Sequence, residues 1–216
     1  MRRTYKKKNI TFVEVSQKKE GNQTAFNLLK ELTDGKTALF LSAEETLTSL
    51  YKIITQDKQK QIKPAAAAGI NEKWGFPGHE KSKEKQFQDL GLYKYFVDSR
   101  SEVYTILHGI LTKKETIERH NVILQGLMER LENKIGILGV NGIKQLIMPK
   151  AEKRKDEKKL IVEGPCQKII PSPEFLRRLD IIIALIYGEK GKKIIKKLSQ
   201  KTNLNKIFLI TDQKTT

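Results

Sequence analysis

The sequence reads Thr37-Ala-Leu-Phe-Leu41, then Ser42-Ala-Glu44, then the segment Glu45–Gln56. The first run is continuously apolar and predicts a buried strand. In the third segment apolar residues recur three and four positions apart, which predicts a helix with one buried face; they are Leu47, Leu50, Tyr51 and Ile54. A strand, a short turn and a helix make half of a βαβ unit, so this stretch predicts an α/β fold.

The same alternation extends over the rest of the chain. Further strands are predicted at Thr11–Val15, Ala65–Ile70, Glu102–Leu107, Lys134–Leu138, Lys168–Ser172, Ile181–Tyr187 and Lys206–Ile210. Helices are predicted at Gln23–Leu32, at Lys83–Phe96 with a break at Gly91, at Thr112–Leu131 with Thr112 as its cap, from Pro173 onwards, and at Glu189–Ser199. We expect a single domain over residues 10–213, with a mostly parallel, Rossmann-like sheet flanked by helices, behind a basic N-terminal tail of residues 1–9.

The composition limits the class of protein. The 216 residues include 42 Lys and Arg against 25 Asp and Glu, a net charge of +17. Such an excess usually indicates a polyanionic partner, but lysines far outnumber arginines and are spread over the chain, which favours a solvated basic surface. No apolar run is long enough for a membrane span, and the single cysteine, Cys166, excludes an internal disulfide. We expect a cytoplasmic monomer or homodimer with no membrane partner.

Four segments follow one another in strand–turn–helix contexts. They are Leu39-Phe-Leu-Ser-Ala-Glu-Glu-Thr-Leu47, Asn71-Glu-Lys-Trp74 with His79 and Ser82 behind it, Ile137-Leu-Gly-Val-Asn-Gly-Ile-Lys-Gln-Leu-Ile-Met-Pro149, and Lys168–Lys190. In their order and spacing, from about Ile10 to Asp212, the chain resembles the 6-phosphogluconolactonase and glucosamine-6-phosphate isomerase (deaminase) family. The ending Ile147-Met-Pro149 is nearer to the lactonase pattern.

The resemblance implies a sugar-phosphate isomerase-like fold and a role in carbohydrate metabolism. The implied reaction is the hydrolysis of 6-phosphogluconolactone to 6-phosphogluconate in the pentose phosphate pathway, without a metal or an organic cofactor. By the same resemblance the phosphate of the sugar is held by Ser42, Thr46, Lys73 and Lys168. The sugar site is lined by Asn71, Glu72, Asn141 and Gly142, and His79 is a candidate replacement for the catalytic base.

The departures from the family pattern fall where the chemistry is expected. Ile143 stands where the family has the His that acts as general base, and Ile cannot accept a proton. Asn71 and Asn141 stand where the family has acidic residues. Glu44 and Glu45 occupy the turn expected to hold the phosphate, where a carboxylate either repels that phosphate or stabilises the helix that follows. The resemblance therefore implies a lactonase with impaired catalysis.

Alternatives remain for the charged candidates and for the function. Glu72 and Lys73 also fit a solvated ion pair, and Lys168 also fits a lysine at a strand edge. Three functions stay open: a working lactonase, a non-catalytic sugar-phosphate-binding or interaction protein of the same fold, and, less favoured, a nucleic-acid-binding protein. The last would bind through Lys6–Lys8, the charged loop Lys150–Lys159 and Lys190–Lys201, and a steep salt dependence would distinguish it.

Overall fold

The computed structural model of the chain describes residues 2–147, 159–200 and 206–215. Its strands are β1 Arg3–Lys7, β2 Ile10–Glu14, β3 Thr37–Leu41, β4 Ala66–Gly69, β5 Glu72–Lys73, β6 Glu102–Tyr104, β7 Asn133–Leu138, β8 Ile161–Gly164, β9 Lys168–Pro171, β10 Ile181–Ile186 and β11 Lys206–Thr211. Its helices are α1 Lys18–Leu32, α2 Thr48–Gln56 behind a 3-10 turn at Glu45–Leu47, α3 Lys83–Asp89, α4 Leu92–Asp98, α5 Lys113–Arg130, α6 Val140–Ile147, α7 Pro173–Arg177 and α8 Glu189–Gln200.

Eight strands form the central sheet in the order β1-β2-β11-β10-β7-β3-β4-β6. Every neighbouring pair is parallel except β1 and β2. Strands β3 and β10 are buried along most of their length because helices cover both faces, and this explains their continuously apolar sequences. The predicted α/β fold with a mostly parallel sheet is confirmed.

Helices cover the sheet in two layers. Residues of α5, α6, α7 and α8 join one buried apolar cluster with one face of the sheet. Residues of α1, α2, α3 and α4 join a second cluster on the opposite face. Within the described residues, no helix is both long and apolar enough to cross a membrane.

Local sequence signals start and stop several of these helices. The Thr112 hydroxyl accepts a hydrogen bond from the Glu115 amide, and the Glu115 carboxylate accepts one from the Thr112 amide. The predicted cap of α5 is therefore confirmed, and it forms a capping box. Gly91 has a φ of 72° and separates α3 from α4, as its position predicted. Ser172 caps α7, whose first residue is Pro173.

The first residues of the chain form a strand, although their basic sequence predicts a tail. Arg3–Lys7 pairs antiparallel with β2, and the Tyr5 ring stacks on Phe12 at 5.0 Å. The strand lies at the edge of the sheet and all its residues but Tyr5 are exposed, so its sequence carries no alternation of apolar and polar residues.

Other elements also differ from the prediction, and two of them lie in the motif segments. Residues 139–142 contain the start of α6, although their Gly-Val-Asn-Gly sequence is typical of a turn. Lys168–Ser172, expected in the parallel sheet, contributes β9 to a separate antiparallel sheet of order β5-β9-β8. Apart from Lys159, the expected loop Lys150–Lys159 lies outside the described residues, as do Met148 and Pro149.

Candidate functional site at the carboxyl edge of the sheet

The candidate site lies where three adjacent parallel strands end. Strands β7, β3 and β4 are neighbours, and their last residues lead into the turns that carry the expected site residues. The start of each of two turns is bonded to the neighbouring strand: the Ser42 amide donates to the Ile137 carbonyl at 3.2 Å, and the Ile70 amide donates to the Leu41 carbonyl at 3.1 Å. The carboxyl edge of an open parallel sheet is the usual place for a ligand.

The Glu44 carboxylate is bound by the start of helix α6. It accepts hydrogen bonds from the main-chain amides of Gly139 (3.2 Å), Asn141 (2.8 Å) and Gly142 (3.0 Å), and from the Ser42 hydroxyl (3.2 Å). Free amides and the helix dipole at this end favour a negative charge. Glu44 makes no capping bond to the helix that follows it, so it stabilises α6 instead of its own helix.

The two hydroxyl groups between β3 and α2, those of Ser42 and Thr46, face inwards. Ser42 is 3% exposed, and its hydroxyl is bonded to Glu44. The Thr46 hydroxyl oxygen is shielded from solvent and has no hydrogen-bond partner. A β-carbon on Gly139 would lie 2.6 Å from this oxygen and 2.7 Å from a Glu44 carboxylate oxygen. A β-carbon at position 139 would therefore displace these two side chains, because both pack directly on Gly139.

Asn71 bridges two of the turns. Its side-chain oxygen accepts a hydrogen bond from the Ala43 amide at 2.7 Å, and its side-chain nitrogen donates to the Ala43 carbonyl at 3.4 Å. The amide group is therefore engaged by the main chain of the neighbouring turn, and an Asn offers no proton-accepting group at this position.

Glu72 is a buried cap of helix α3. The side chain is 2% exposed, and the carboxylate accepts hydrogen bonds from the amides of Lys73, Lys83 and Glu84 at 2.6 to 2.8 Å and from the Ser82 hydroxyl at 3.1 Å. Burial raises the pKa of Glu72, and the four hydrogen bonds oppose that rise. A solvated ion pair with Lys73 does not form.

Two further buried ionisable groups, which the four motif segments do not name, lie beside the site. Glu84 accepts hydrogen bonds from the amides of Ile106 and Leu107, and burial together with the charge of Glu72 raises its pKa to about 8. The His120 ring nitrogen Nε2 lies 2.8 Å from the Gly69 carbonyl, and burial lowers the pKa of His120 to about 4. His120 falls on the apolar face of α5 between Ile117 and Leu124, so helical spacing could have predicted its burial, whereas the short helix α3 gives no such signal for Glu84.

The segment that leads from β7 into α6 holds no general base among its described residues. Ile143 is fully buried and belongs to the apolar cluster beneath α6. Gly142 is buried and its amide is bonded to Glu44, whereas the Asn141 side chain is exposed. Asn141 is therefore the residue of this turn whose side chain is open to a ligand.

His79 is tied to the main chain of its own loop. Its ring nitrogen Nε2 lies 2.9 Å from the Lys73 carbonyl, which fixes this nitrogen as the protonated donor. The ring packs on Gly75, where a β-carbon would lie 2.7 Å from the imidazole. The nitrogen that binds the carbonyl cannot also accept a proton from a ligand.

Lys73 and Lys168 are direct neighbours across strands β5 and β9. They are paired residues of an antiparallel ladder, and the neighbour of Lys168 on its other side is Gly164. Lys73 Nζ donates to the Cys166 carbonyl. Like charges on directly opposite residues destabilise a sheet, and an anion between them reverses the sign of that interaction. Within the described residues, no group of three His, Cys, Asp or Glu is placed to hold a metal ion.

The fold matches solved structures, although no family model and no curated protein sequence matches the chain. A 6-phosphogluconolactonase from Trypanosoma brucei has a TM-score of 0.71 and 12% identity, covering 96% of this chain and 97% of its own. A monomeric glucosamine-6-phosphate deaminase has a TM-score of 0.71 and 13% identity, covering 94% and 98%. A 6-phosphogluconolactonase from Plasmodium vivax has a TM-score of 0.68 and 14% identity, covering 96% and 91%. The predicted sugar-phosphate isomerase-like fold is confirmed.

Proposed function

We propose, from the fold shared with sugar-phosphate enzymes, that this chain binds a phosphorylated sugar of the 6-phosphogluconolactone type and is impaired as a lactonase. The observation that carries the proposal is the burial of Ile143 in the apolar core, at the position where the resemblance expects the general base. Asn71 and Asn141 cannot replace that base, because an amide does not take up a proton near neutral pH.

The phosphate of the ligand is assigned to Lys73 and Lys168. Because they are opposite residues of one antiparallel ladder, their side chains leave the same face of the small sheet. Lys73 directly follows the buried Glu72, so this pair lies near the carboxyl end of β4. A phosphate dianion is the ligand group whose charge matches two lysines.

The sugar part of the ligand is assigned to the polar groups of the neighbouring turns. The exposed side-chain amide of Asn141 both donates and accepts hydrogen bonds, as hydroxyl recognition requires. Held in this way, a lactone reacts with water at a rate set by positioning alone. General-base catalysis typically contributes about 100- to 10,000-fold, and this chain is expected to lack that contribution.

The first test of the proposal is calorimetric binding of 6-phosphogluconate to the wild type, to Lys168→Ala and to Lys52→Ala. Lys52 is an exposed lysine on α2 and serves as the matched control for the loss of one charge. We expect Lys168→Ala to weaken binding at least about tenfold, the loss of one charge-assisted contact of about 1.5–3 kcal/mol, and Lys52→Ala to bind like the wild type.

The second test is the rate of 6-phosphogluconolactone hydrolysis against the spontaneous rate. We expect binding without large acceleration. An acceleration of about 10,000-fold or more that disappears in Lys168→Ala would show a working lactonase with another base, and the absence of 6-phosphogluconate binding would end the sugar-phosphate proposal.

The exposed lysines of helix α8 favour nucleic acid as the second candidate. On this helix Ile194, Ile195 and Leu198 are buried, and the opposite side exposes Lys192, Lys193, Lys196 and Lys197. A backbone-binding protein loses affinity steeply as salt rises, because phosphate contacts release counterions. Tight DNA or RNA binding with such a slope, weakened by Lys193→Ala/Lys196→Ala and unaffected by Lys168→Ala, would favour this function over sugar-phosphate binding.

A further inference from the structure

Four hydrogen-bond donors surround the Glu44 carboxylate, and we call them the donor cup. They are the amides of Gly139, Asn141 and Gly142 and the hydroxyl of Ser42. We propose that Glu44 is an autoinhibitory internal ligand whose carboxylate fills the donor cup and keeps free phosphate out of it. The proposal goes beyond sugar-phosphate binding at the lysine pair, because it concerns main-chain amides and a hydroxyl that the proposed function does not use.

The contact is made between segments far apart in the chain. Asn141 lies 97 residues after Glu44, yet its amide is 2.8 Å from the carboxylate. Both carboxylate oxygens are used: one accepts from Asn141, and the other accepts from Gly139, Gly142 and Ser42. A group satisfied by four donors from two turns is bound in the manner of a ligand.

The neighbouring carboxylate shows that the contact is specific to Glu44. Glu45 carries the same charge one residue later, is exposed, and begins the 3-10 turn. If a negative charge near the helix start were all that mattered, either residue would serve. The geometry instead places the Glu44 oxygens alone among the donors.

A further donor stands ready beside the cup. The shielded Thr46 hydroxyl has no partner while Glu44 is in place, and it lies against Gly139, as the Glu44 carboxylate does. A phosphate has more acceptor oxygens than a carboxylate, so it can use this hydroxyl as well. Removal of the Glu44 carboxylate therefore opens a place with five hydrogen-bond donors and no competing negative charge.

The internal ligand competes with an external anion in two ways. It is tethered, so its effective concentration at the donor cup far exceeds that of dissolved phosphate. It also repels an approaching anion of the same sign. In the wild type the phosphate of a bound ligand is therefore left to Lys73 and Lys168, because Glu44 keeps a second negative charge out of the donor cup.

The test is a titration of the full chain with inorganic phosphate, followed by 15N–1H NMR of the Gly139, Asn141 and Gly142 amides. The proteins are the wild type, Glu44→Ala, Glu44→Gln and the matched control Glu45→Ala, which removes the same charge next to the cup. We expect saturable shifts of the three amides in Glu44→Ala. The phosphate affinity from these shifts should be at least tenfold higher than the affinity from the same amides in the wild type and in Glu45→Ala. Glu44→Gln, which keeps the side-chain size and removes the charge, is expected to lie between.

Two results would overturn the proposal. One is a wild type whose three amides respond to phosphate as strongly as those of Glu44→Ala. The other is a folded Glu44→Ala in which they do not respond. If Glu44→Ala does not fold, the wild type and Glu44→Gln decide, because equal phosphate responses in these two also contradict the proposal. Failure of the lysine-pair assignment would be seen separately, as unchanged 6-phosphogluconate binding in Lys168→Ala.

Discussion

Buried ionisable residues are the least predictable part of this molecule at the scale of single residues. Glu84 stands in the first turn of α3, where acidic residues commonly lie in solvent, and Glu72 on strand β5 is bonded to amides of that turn. The fold buries both carboxyl groups. Each carboxyl is matched by main-chain amides, from 73, 83 and 84 for Glu72 and from 106 and 107 for Glu84. The sequence names Glu72 through its motif, but the amides that enclose Glu84 belong to a loop 22 residues away. No local pattern reveals such a partner.

Glu84 should make the stability of the chain fall as the pH rises. Its folded pKa of about 8 lies above the ordinary value of 4.5, so the folded state binds the proton more tightly. The contribution of Glu84 to the unfolding free energy is fully present below about pH 4.5 and is lost as the pH rises through about 8. Each pKa unit corresponds to about 1.4 kcal/mol, and we expect Glu84→Gln to reduce the loss of unfolding free energy between these limits by at least about that amount.

The measurement is urea denaturation of wild type and Glu84→Gln across this pH range. Glu80→Gln is the control, since Glu80 is an exposed carboxylate four residues earlier. A Glu84→Gln profile parallel to the wild type would show that Glu84 is ionised in the folded protein. The raised pKa of Glu72 acts in the same direction and leaves a residual slope.

At the scale of elements, the sequence predicts best those strands and helices whose signals are local. Strand β3 has the predicted bounds, and the cap of α5 lies within the sequence that it caps. Helix α6 begins in a Gly-Val-Asn-Gly stretch that resembles a turn, because the carboxylate that caps it comes from Glu44. The candidate site shows the same division. The motifs name its residues, but they do not predict the contacts of those residues, because each contact is made with a segment distant in the sequence.

The hairpin between β8 and β9 contains a turn that its residues do not favour. Cys166 and Gln167 have φ angles of 55° and 58°, in the left-handed region where glycine has no steric cost. An L-residue there costs roughly 1–2 kcal/mol, partly offset by the flexibility that glycine adds to the unfolded chain. We therefore expect Gln167→Gly to raise the unfolding free energy by about 0.5–1 kcal/mol, measured by urea denaturation.

The control for this substitution is Gln167→Ala. It removes the same side chain but keeps the steric cost, so it should not stabilise the protein. Equal effects of the two changes would assign the result to the glutamine side chain and not to the backbone. The Gln167 carbonyl accepts the Trp74 amide at 2.8 Å, and both variants retain this hydrogen bond.

The net charge of +17 acts at the scale of the whole molecule. Repulsion among so many like charges opposes the compact state, and salt screens it. The composition predicts this property in full, because it depends on counts and hardly on the fold. The composition does not predict the strand order or the small antiparallel sheet, because both depend on which segments of the chain pair with one another.

We expect the protein to become more stable as salt rises from about 0.01 M to about 0.1 M, over which the Debye length falls from about 30 to about 10 Å. A gain of about 1 kcal/mol corresponds to roughly 2–4 °C in Tm for a domain of this size. The variant Lys193→Glu/Lys196→Glu changes two charges by two units each, from +17 to +13, and should respond less. A Tm that falls with added NaCl would contradict the expectation.

The turn between β8 and β9, whose main chain binds the Lys73 ammonium group, also carries the single cysteine of the chain. Cys166 is exposed, its carbonyl accepts the Lys73 ammonium group, and Lys168 follows two residues later. A thiol-reactive fluorophore or spin label would therefore attach at one position without removal of any other cysteine. Such a label would report occupation of the lysine pair as a change in emission or in line shape, and ligands could be screened directly on the native sequence.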